Sequence, residues 1–344
     1  MKEMAEIEKN LEWESLGFNY YRTEWNARFY YRDGAWSEME LSDSEYFPMH
    51  ISAACLHYGL EIFEGLKAFR GIDGRIRMFR PEENAARMQS SAAKLCLPAP
   101  TTEMFVNACA EIVRRNPDFV PPYGTGASLY LRPLLIGTNP VLGVKPATEA
   151  TFIVFASPVG AYFREGLRPI SAVIDRDQDR AAPRGTGDVK VGGNYASSIL
   201  SGSRAHGLGH SNVLYLDTHE RKYIEEFGAA NFFAVRGNTY ITPKSNSILP
   251  SITNKSLREL APTLGLEVEE RPVSIEELES FDEVGACGTA AVISPVTKLI
   301  DIQTGRIYSY GDHIGRYSQK MFDALQDIQY GRVEDKFGWM VDVE

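Results

Sequence analysis

Lys190 sits in a run of residues that could hold a reactive amine. Residues 185–196 read Gly-Thr-Gly-Asp-Val-Lys-Val-Gly-Gly-Asn-Tyr-Ala, so mostly small neighbours surround the lysine and a phenol, Tyr195, follows five positions on. Glycines on both sides let something bulky approach the backbone closely. An amine in such a niche can attack a carbonyl and form a Schiff base. A surface lysine in a flexible turn has the same local spelling. Three further segments offer complementary chemistry. Residues 223–233, Tyr-Ile-Glu-Glu-Phe-Gly-Ala-Ala-Asn-Phe-Phe, set Glu226 between an apolar stretch and a small-residue turn. If buried, that carboxylate needs a cationic partner; in solvent it is an ordinary strand-end glutamate. Residues 247–255, Ser-Ile-Leu-Pro-Ser-Ile-Thr-Asn-Lys, read as a loop entering a helix, with Ser251 or Thr253 near the cap. Backbone N–H groups at such an entry bind anions, although every helix has an entry. Residues 285–291, Gly-Ala-Cys-Gly-Thr-Ala-Ala, can aim amides and the Thr289 hydroxyl at a ligand, or simply turn between two strands.

The elements that must position these groups alternate along the chain. Residues 81–97 predict a helix with Pro81 at its start and Pro98 just past its end. A second helix is expected over 102–115. Ser128–Ile136 and Thr151–Ala156 are apolar and β-prone, hence buried strands. The polar stretch Phe-Arg-Glu-Gly-Leu-Arg-Pro-Ile at 163–170 marks an interdomain connection. It gives a smaller N-terminal α/β domain (1–163), a linker (164–173) and a larger C-terminal domain (174–344). Beyond it, 170–174, 213–217, 231–235 and 239–242 read as strands. Helices are expected over 195–206, 256–264 and 313–330. This interleaving indicates an α/β architecture with α+β character and a sheet in each half.

Bulk properties narrow the class. The 344 residues are 44% hydrophobic and 24% charged, ordinary for a globular enzyme, and suffice for two domains. A formal net charge of −10 argues against a general nucleic-acid binder. Cys55, Cys96, Cys109 and Cys287 form no CxxC pair and are too few for a disulfide scaffold, which points to a reducing compartment. The N-terminus lacks an apolar signal region and no run approaches a membrane span, so a cytoplasmic location and no membrane partner are expected. His206 and His210 are four apart, but Gly207 and Gly209 break the helix that would align them, so no metal site is expected.

Taken in order, the motifs resemble the branched-chain aminotransferases, which are fold type IV pyridoxal-phosphate enzymes. They are Lys190-Val-Gly-Gly-Asn-Tyr195, Glu226-Phe-Gly-Ala-Ala-Asn231 and Gly288-Thr289-Ala290. Upstream, His57-Tyr58, Phe63-Glu-Gly-Leu-Lys67, Asn84-Ala-Ala-Arg87, Ser128-Leu-Tyr130-Leu-Arg132-Pro and Pro158-Val-Gly-Ala-Tyr162-Phe match as well. The resemblance runs from about residue 20 to the end. It implies two domains with the active site at their interface. It implies pyridoxal 5'-phosphate as cofactor, bound covalently by Lys190, which also moves the proton at Cα. A lysine doing so needs an amine whose pKa is lowered by burial and nearby positive charge. Glu226 would keep the pyridine nitrogen protonated, making the ring a better electron sink. Tyr195 would bond the phenolic oxygen. Arg87, the Ile252 and Thr253 amides and the Thr289 hydroxyl would hold the phosphate. Arg180 would support the cofactor.

For substrate, the resemblance places the α-carboxylate near Thr289, Ala290 and the Tyr130 hydroxyl. Phe63, Tyr58, Tyr162 and Val144 would line an apolar pocket for leucine, isoleucine and valine. Arg132 would take the distal carboxylate of glutamate or 2-oxoglutarate. Tyr58 and Val144 would come from the neighbouring subunit of a homodimer. Two departures stand out: Ala291 and Ser294 occupy places that hold a CxxC pair in some relatives, so no thiol switch is expected there, and Ala229 replaces a threonine near the substrate carboxylate.

Other functions fit the residues less well. D-amino-acid aminotransferases and aminodeoxychorismate lyases share the lysine and glutamate, but are usually shorter and lack the Tyr-Leu-Arg and Pro-Val-Gly-Ala-Tyr-Phe segments. A nucleotide-dependent oxidoreductase would need a glycine where Lys190 follows Gly185-Thr-Gly187. A non-catalytic carrier would have no use for Tyr130, Arg132 and Tyr162.

Overall fold

In the computed structural model, residues 7–160 and 167–343 are described. The chain forms two compact units, one comprising Met1–Arg164, Lys190–Gly192 and Asp327–Glu344, the other Glu165–Val189 and Gly193–Gln326. The division is less simple than domains at 1–163 and 174–344. The C-terminal residues return to the first unit, the Lys190 segment belongs with it, and a strand starting at Ile170 occupies the end of the span 164–173.

The first unit is built on a nine-stranded antiparallel sheet. Its strands are β1 (Asn26–Arg32), β2 (Ala35–Trp36), β3 (Glu40–Ser42), β4 (Glu61–Phe63), β5 (Leu66–Arg70), β6 (Ile76–Phe79), β7 (Ser128–Gly137), β8 (Ala150–Val159) and a C-terminal strand, Met340–Asp342, paired to β6. The alternation of β7 decides what the unit can do. Leu129, Leu131 and Leu135 are fully buried, whereas Tyr130, Arg132 and Leu134 point to the opposite face and are partly open. The short helix α1 (Ala54–Tyr58) precedes β4. Helix α2 (Pro81–Lys94) starts with proline and two glutamates and ends before Cys96, whose φ of +52° stops it short of the expected residue 97. Helix α3 (Thr102–Arg115) is capped by Thr101, which accepts from the Met104 N–H at 3.1 Å. It buries Phe105, Ala108, Cys109, Ile112 and Val113, one stripe at helical spacing. The Phe105 ring stacks on Phe152 of β8 with centroids 6.0 Å apart.

The second unit has a nine-stranded mixed sheet. Its strands are β9 (Ile170–Ile174), β10 (Asn212–Leu216), β11 (Ile224–Phe227), β12 (Asn231–Arg236), β13 (Thr239–Pro243), β14 (Glu267–Arg271), β15 (Glu283–Gly288), β16 (Val292–Asp301) and β17 (Ile307–Ser309). β9 pairs in parallel with β10 and β16. The strand path runs β11-β10-β9-β16-β15-β12, and a Glu226–Asn231 pairing joins β11 back to β12, closing a ring. Glu226 therefore lies at the seam. The helices are α4 (Gly192–Ala196), α5 (Ile199–Gly207), α6 (Ile252–Leu260) and α7 (Arg316–Gln329). The helix expected over 195–206 is broken because the Ser197 hydroxyl turns back to the carbonyls of Arg180 and Asn194, and the Ser198 hydroxyl to that of Tyr195. The helix expected over 256–264 begins earlier, where the Ser251 hydroxyl accepts from Asn254 N–H. Its tail, Ala261–Leu264, tightens into a 3-10 turn.

Phe233 on β12 lies opposite Gly285 on β15, and a Cβ at 285 would run into the phenyl ring. Gly285→Ala should therefore destabilise the second unit by about 1–3 kcal/mol. Urea unfolding followed by circular dichroism checks this; an unchanged midpoint contradicts it.

Candidate active site

In the first unit, Lys190 is held by its backbone. Its N–H donates to the buried Ser91 hydroxyl of α2 at 3.1 Å, and its carbonyl accepts from Phe63 N–H at 3.1 Å. Val191 bridges to Ile62, and Gly192 N–H donates to Glu61 Oε1 at 2.5 Å. The three residues of β4 thus clasp residues 190–192 one by one. A Cβ on Gly192 would push the Glu61 carboxylate out of this position. The ammonium nitrogen lies 4.7 Å from the centroid of the Phe63 ring.

The open face of β7 adds the next groups. The Arg132 guanidinium lies 4.7 Å from the Phe63 centroid and 5.3 Å from that of Tyr130. Its Nη2 donates to the Tyr130 hydroxyl at 3.2 Å, and its Nε is buried with no hydrogen-bond acceptor. A buried donor without an acceptor is costly, and an incoming carboxylate relieves it. Gly65 makes room for the Tyr130 hydroxyl, which a Cβ there would strike. Phe63, Tyr130, Arg132 and Lys190 are therefore brought together.

Arg87 on α2 is oriented by Glu64, which is completely buried. Nε donates to Oε1 at 2.8 Å and Nη2 to Oε2 at 2.7 Å, while Asn84 Nδ2 also donates to Oε2 at 2.8 Å. This bidentate pair uses two of the guanidinium N–H groups and fixes its plane. Lys67, opposite Tyr130 on β5, is also buried, and burial pushes its ammonium pKa down to about 8.

In the second unit, Glu226 is buried at the seam. Burial pushes its carboxyl up to about 7, against the pull of Arg180, Leu249 N–H and the Asn231 amide. Arg180 Nη2 is 2.6 Å from Oε1, Leu249 N–H donates to Oε1 at 3.0 Å and Asn231 Nδ2 to Oε2 at 2.9 Å. Arg180 also donates to the carbonyls of Ser247 at 2.5 Å and Gly187 at 3.2 Å. Gly187 has no space for a Cβ against the Ser247 backbone. Ile252 and Thr253 open α6, whose first N–H groups have no intrahelical acceptor. Thr289 and Ala290 form the turn between β15 and β16, and Tyr195 is half-buried in α4.

Tyr58 and Val144 stand apart from these groups. Tyr58 donates its hydroxyl to the Leu142 carbonyl, and Val144 is 82% exposed. Tyr162 lies outside the described residues. Sequence reasoning missed Glu61 and Ser91, and gave Glu64 and Lys67 no role beyond their place in a motif. Glu61 and Phe63 are two apart on a strand, which alone puts both on one face. The others depend on long-range contacts. Among the described residues no group of three or more His, Cys, Asp and Glu side chains could hold a metal ion, and no helix is long and apolar enough to cross a membrane.

Residues 61–299 match the model of the class IV amino-transferase family. The branched-chain-amino-acid aminotransferase of Haemophilus influenzae is 47% identical over 98% of this chain and all of its own. The Escherichia coli branched-chain amino acid aminotransferase superposes with a TM-score of 0.76 at 32% identity, over 92% of this chain and 100% of that one. A second solved structure, a branched-chain amino acid aminotransferase complexed with N-(5'-phosphopyridoxyl)-L-glutamate, gives 0.75 at 26% identity, over 92% and 99%. The chain belongs to the class IV aminotransferases and, within that class, to the branched-chain-amino-acid aminotransferases. It is a fold type IV transaminase.

Arg180 is the cation that pulls the Glu226 carboxyl down against burial. In Arg180→Met the titration of Glu226 should move above its present value of about 7. The protonated-carboxyl band in infrared difference spectra against Glu226→Gln reads this directly. A midpoint that stays put or falls contradicts the assignment.

Proposed function

We propose that the protein exchanges amino groups between L-leucine, L-isoleucine or L-valine and 2-oxoglutarate, with pyridoxal 5'-phosphate as cofactor. The observation that carries this reading is the single wall of the first unit on which an amine (Lys190), an apolar ring (Phe63) and a guanidinium with an unmatched buried N–H (Arg132) lie together. An apolar wall suits branched side chains, and the unmatched donor suits a distal carboxylate. The glutamate adduct in the second solved relative and the name of the H. influenzae relative support the two halves of the reading.

The donor set fits the cofactor. Arg87, the first amides of α6 at Ile252 and Thr253, and the Thr289 hydroxyl suit a phosphate. Glu226, buried with Arg180 beside it, suits a protonated ring nitrogen. The Tyr195 hydroxyl suits the phenolic oxygen. When bound, the cofactor supplies an aldehyde carbon for attachment to an amine and a conjugated ring that accepts electron density from Cα. Lys190 Nζ would hold the cofactor between turnovers and would take and return the Cα proton. The Tyr130 hydroxyl would orient the α-carboxylate, and the Thr289 and Ala290 amides have the chemistry for the same task. Ala229 supplies no hydroxyl to that task. Arg132 binds the distal carboxylate of the dicarboxylic partner.

Phe63 lines the side-chain pocket, with Tyr58 and Val144 contributed by a second copy in a homodimer. The exposure of Ile51, Leu142 and Val144, each above four-fifths in one chain, supports a partner that covers them.

Lys190→Ala should lose transamination while keeping its circular dichroism spectrum, and borohydride treatment of the wild type should fix one cofactor mass on Lys190. In an amino-donor panel with 2-oxoglutarate as acceptor, the three branched L-amino acids should be active. Activity with D-alanine alone would overturn the reading.

A further inference from the structure

Glu61 has no part in the reaction as set out above, yet it lies on the strand that carries Phe63 and holds the segment that carries Lys190. It is two residues before Phe63 on β4, so its side chain shares the face that carries Arg132. Its Oε1 receives the Gly192 N–H at 2.5 Å, two residues after Lys190. That bond keeps the carboxylate from swinging into solvent, and a Cβ on Gly192 would displace it. The Arg132 charge acts on it: burial raises the Glu61 carboxyl pKa, while Gly192 N–H and the Arg132 guanidinium draw it back. Arg132 itself makes no ion pair among the described residues at contact distance; its Nη2 is on Tyr130 and its Nε has no acceptor. Glu61 is therefore a counter-charge held at a remove from the arginine by a backbone bond.

We propose that Glu61 is a specificity-determining residue: by partly offsetting the Arg132 charge, it weakens the binding of dicarboxylic substrates relative to branched-chain ones in the shared site. A site that exchanges two unlike substrates must release each after its half of the cycle. A full, uncompensated guanidinium facing a γ-carboxylate would hold the dicarboxylate too long. The nearby carboxylate tempers that attraction and leaves the apolar contacts with Phe63 untouched. The proposal rests on the reading of Arg132 as the distal-carboxylate partner.

The test uses the cofactor-loaded full chain and two unreactive ligands, glutarate and 4-methylpentanoate, with dissociation constants measured by calorimetry. The measurement is made at about pH 8, above the ordinary carboxylate range. Glu61→Gln keeps an oxygen for Gly192 N–H and removes only the charge. The ratio of glutarate to 4-methylpentanoate affinity should rise roughly two- to fivefold, the size of one partly screened charge pair. The kcat/KM ratio for 2-oxoglutarate against the branched oxo acid should move the same way. A merely structural role would weaken both ligands together and leave the ratio alone, and that result, or a falling ratio, overturns the proposal. Arg132→Met is the control: it should weaken glutarate by about tenfold or more relative to 4-methylpentanoate. If it does not, the Arg132 reading itself fails and takes the proposal with it. If it does and Glu61→Gln leaves the ratio unmoved, only the proposal fails.

Discussion

A flexible side chain can act at one atom only if its backbone is fixed, and for Lys190 that fixing comes from three residues of β4. Glu61, Ile62 and Phe63 meet Gly192, Val191 and Lys190 in turn, through a carboxylate, a bridge and a backbone bond. The same strand pairs on its other side with β7, in register Phe63 to Leu134. One short strand therefore ties the amine to the face that presents Tyr130 and Arg132. Two of the glycines around Lys190 answer to close contacts, one of them in this clasp. Gly192 gives way to the Glu61 carboxylate and Gly187 to the Ser247 backbone, which is why the segment is poor in bulk.

Each unit also buries an ion pair, and burying charges costs stability. Desolvating two ions is repaid only by good geometry and further hydrogen bonds, while removing one partner of such a pair costs about 3–5 kcal/mol. Glu64 with Arg87 and Glu226 with Arg180 both meet that condition, each carboxylate taking an additional amide donor, from Asn84 and Asn231. Their retention makes sense as preparation for a charged ligand. Arg87 is held in one plane by Glu64, and Glu226 is balanced near neutrality, where its protonation state answers to what is placed beside it. Glu225, its neighbour in sequence, is also buried and also pushed up by burial, but its oxygen is tied to the Ser245 hydroxyl.

Much of the fold was legible because its signals are local. The strand Ile170–Ile174 and the helix Thr102–Arg115 fall where the patterning of apolar residues puts them. The family was legible for a different reason: many short motifs keep one order along the chain. What escaped was non-local. The break at Ser197–Ser198 depends on hydroxyls turning back to carbonyls, one of them at Arg180. Met340–Asp342 is too short to read as a strand until β6 offers an edge. The Arg180–Glu226 pair joins residues 46 positions apart (226 − 180), and nothing in either neighbourhood announces the other. The counter-charge at Glu61 needed the sheet register before it had any meaning.

The central claim is that one amine, Lys190, serves both a branched-chain amino acid and a dicarboxylic oxo acid in a single exchange. Incubation of the cofactor-loaded protein with nitrogen-15 L-leucine and 2-oxoglutarate, in the presence of unlabelled ammonium, tests it most directly. Mass spectrometry should find labelled L-glutamate and 4-methyl-2-oxopentanoate in equal amounts, with no dilution of the label. Formation of the branched oxo acid with the label released as ammonium, or with no glutamate made, would contradict the account.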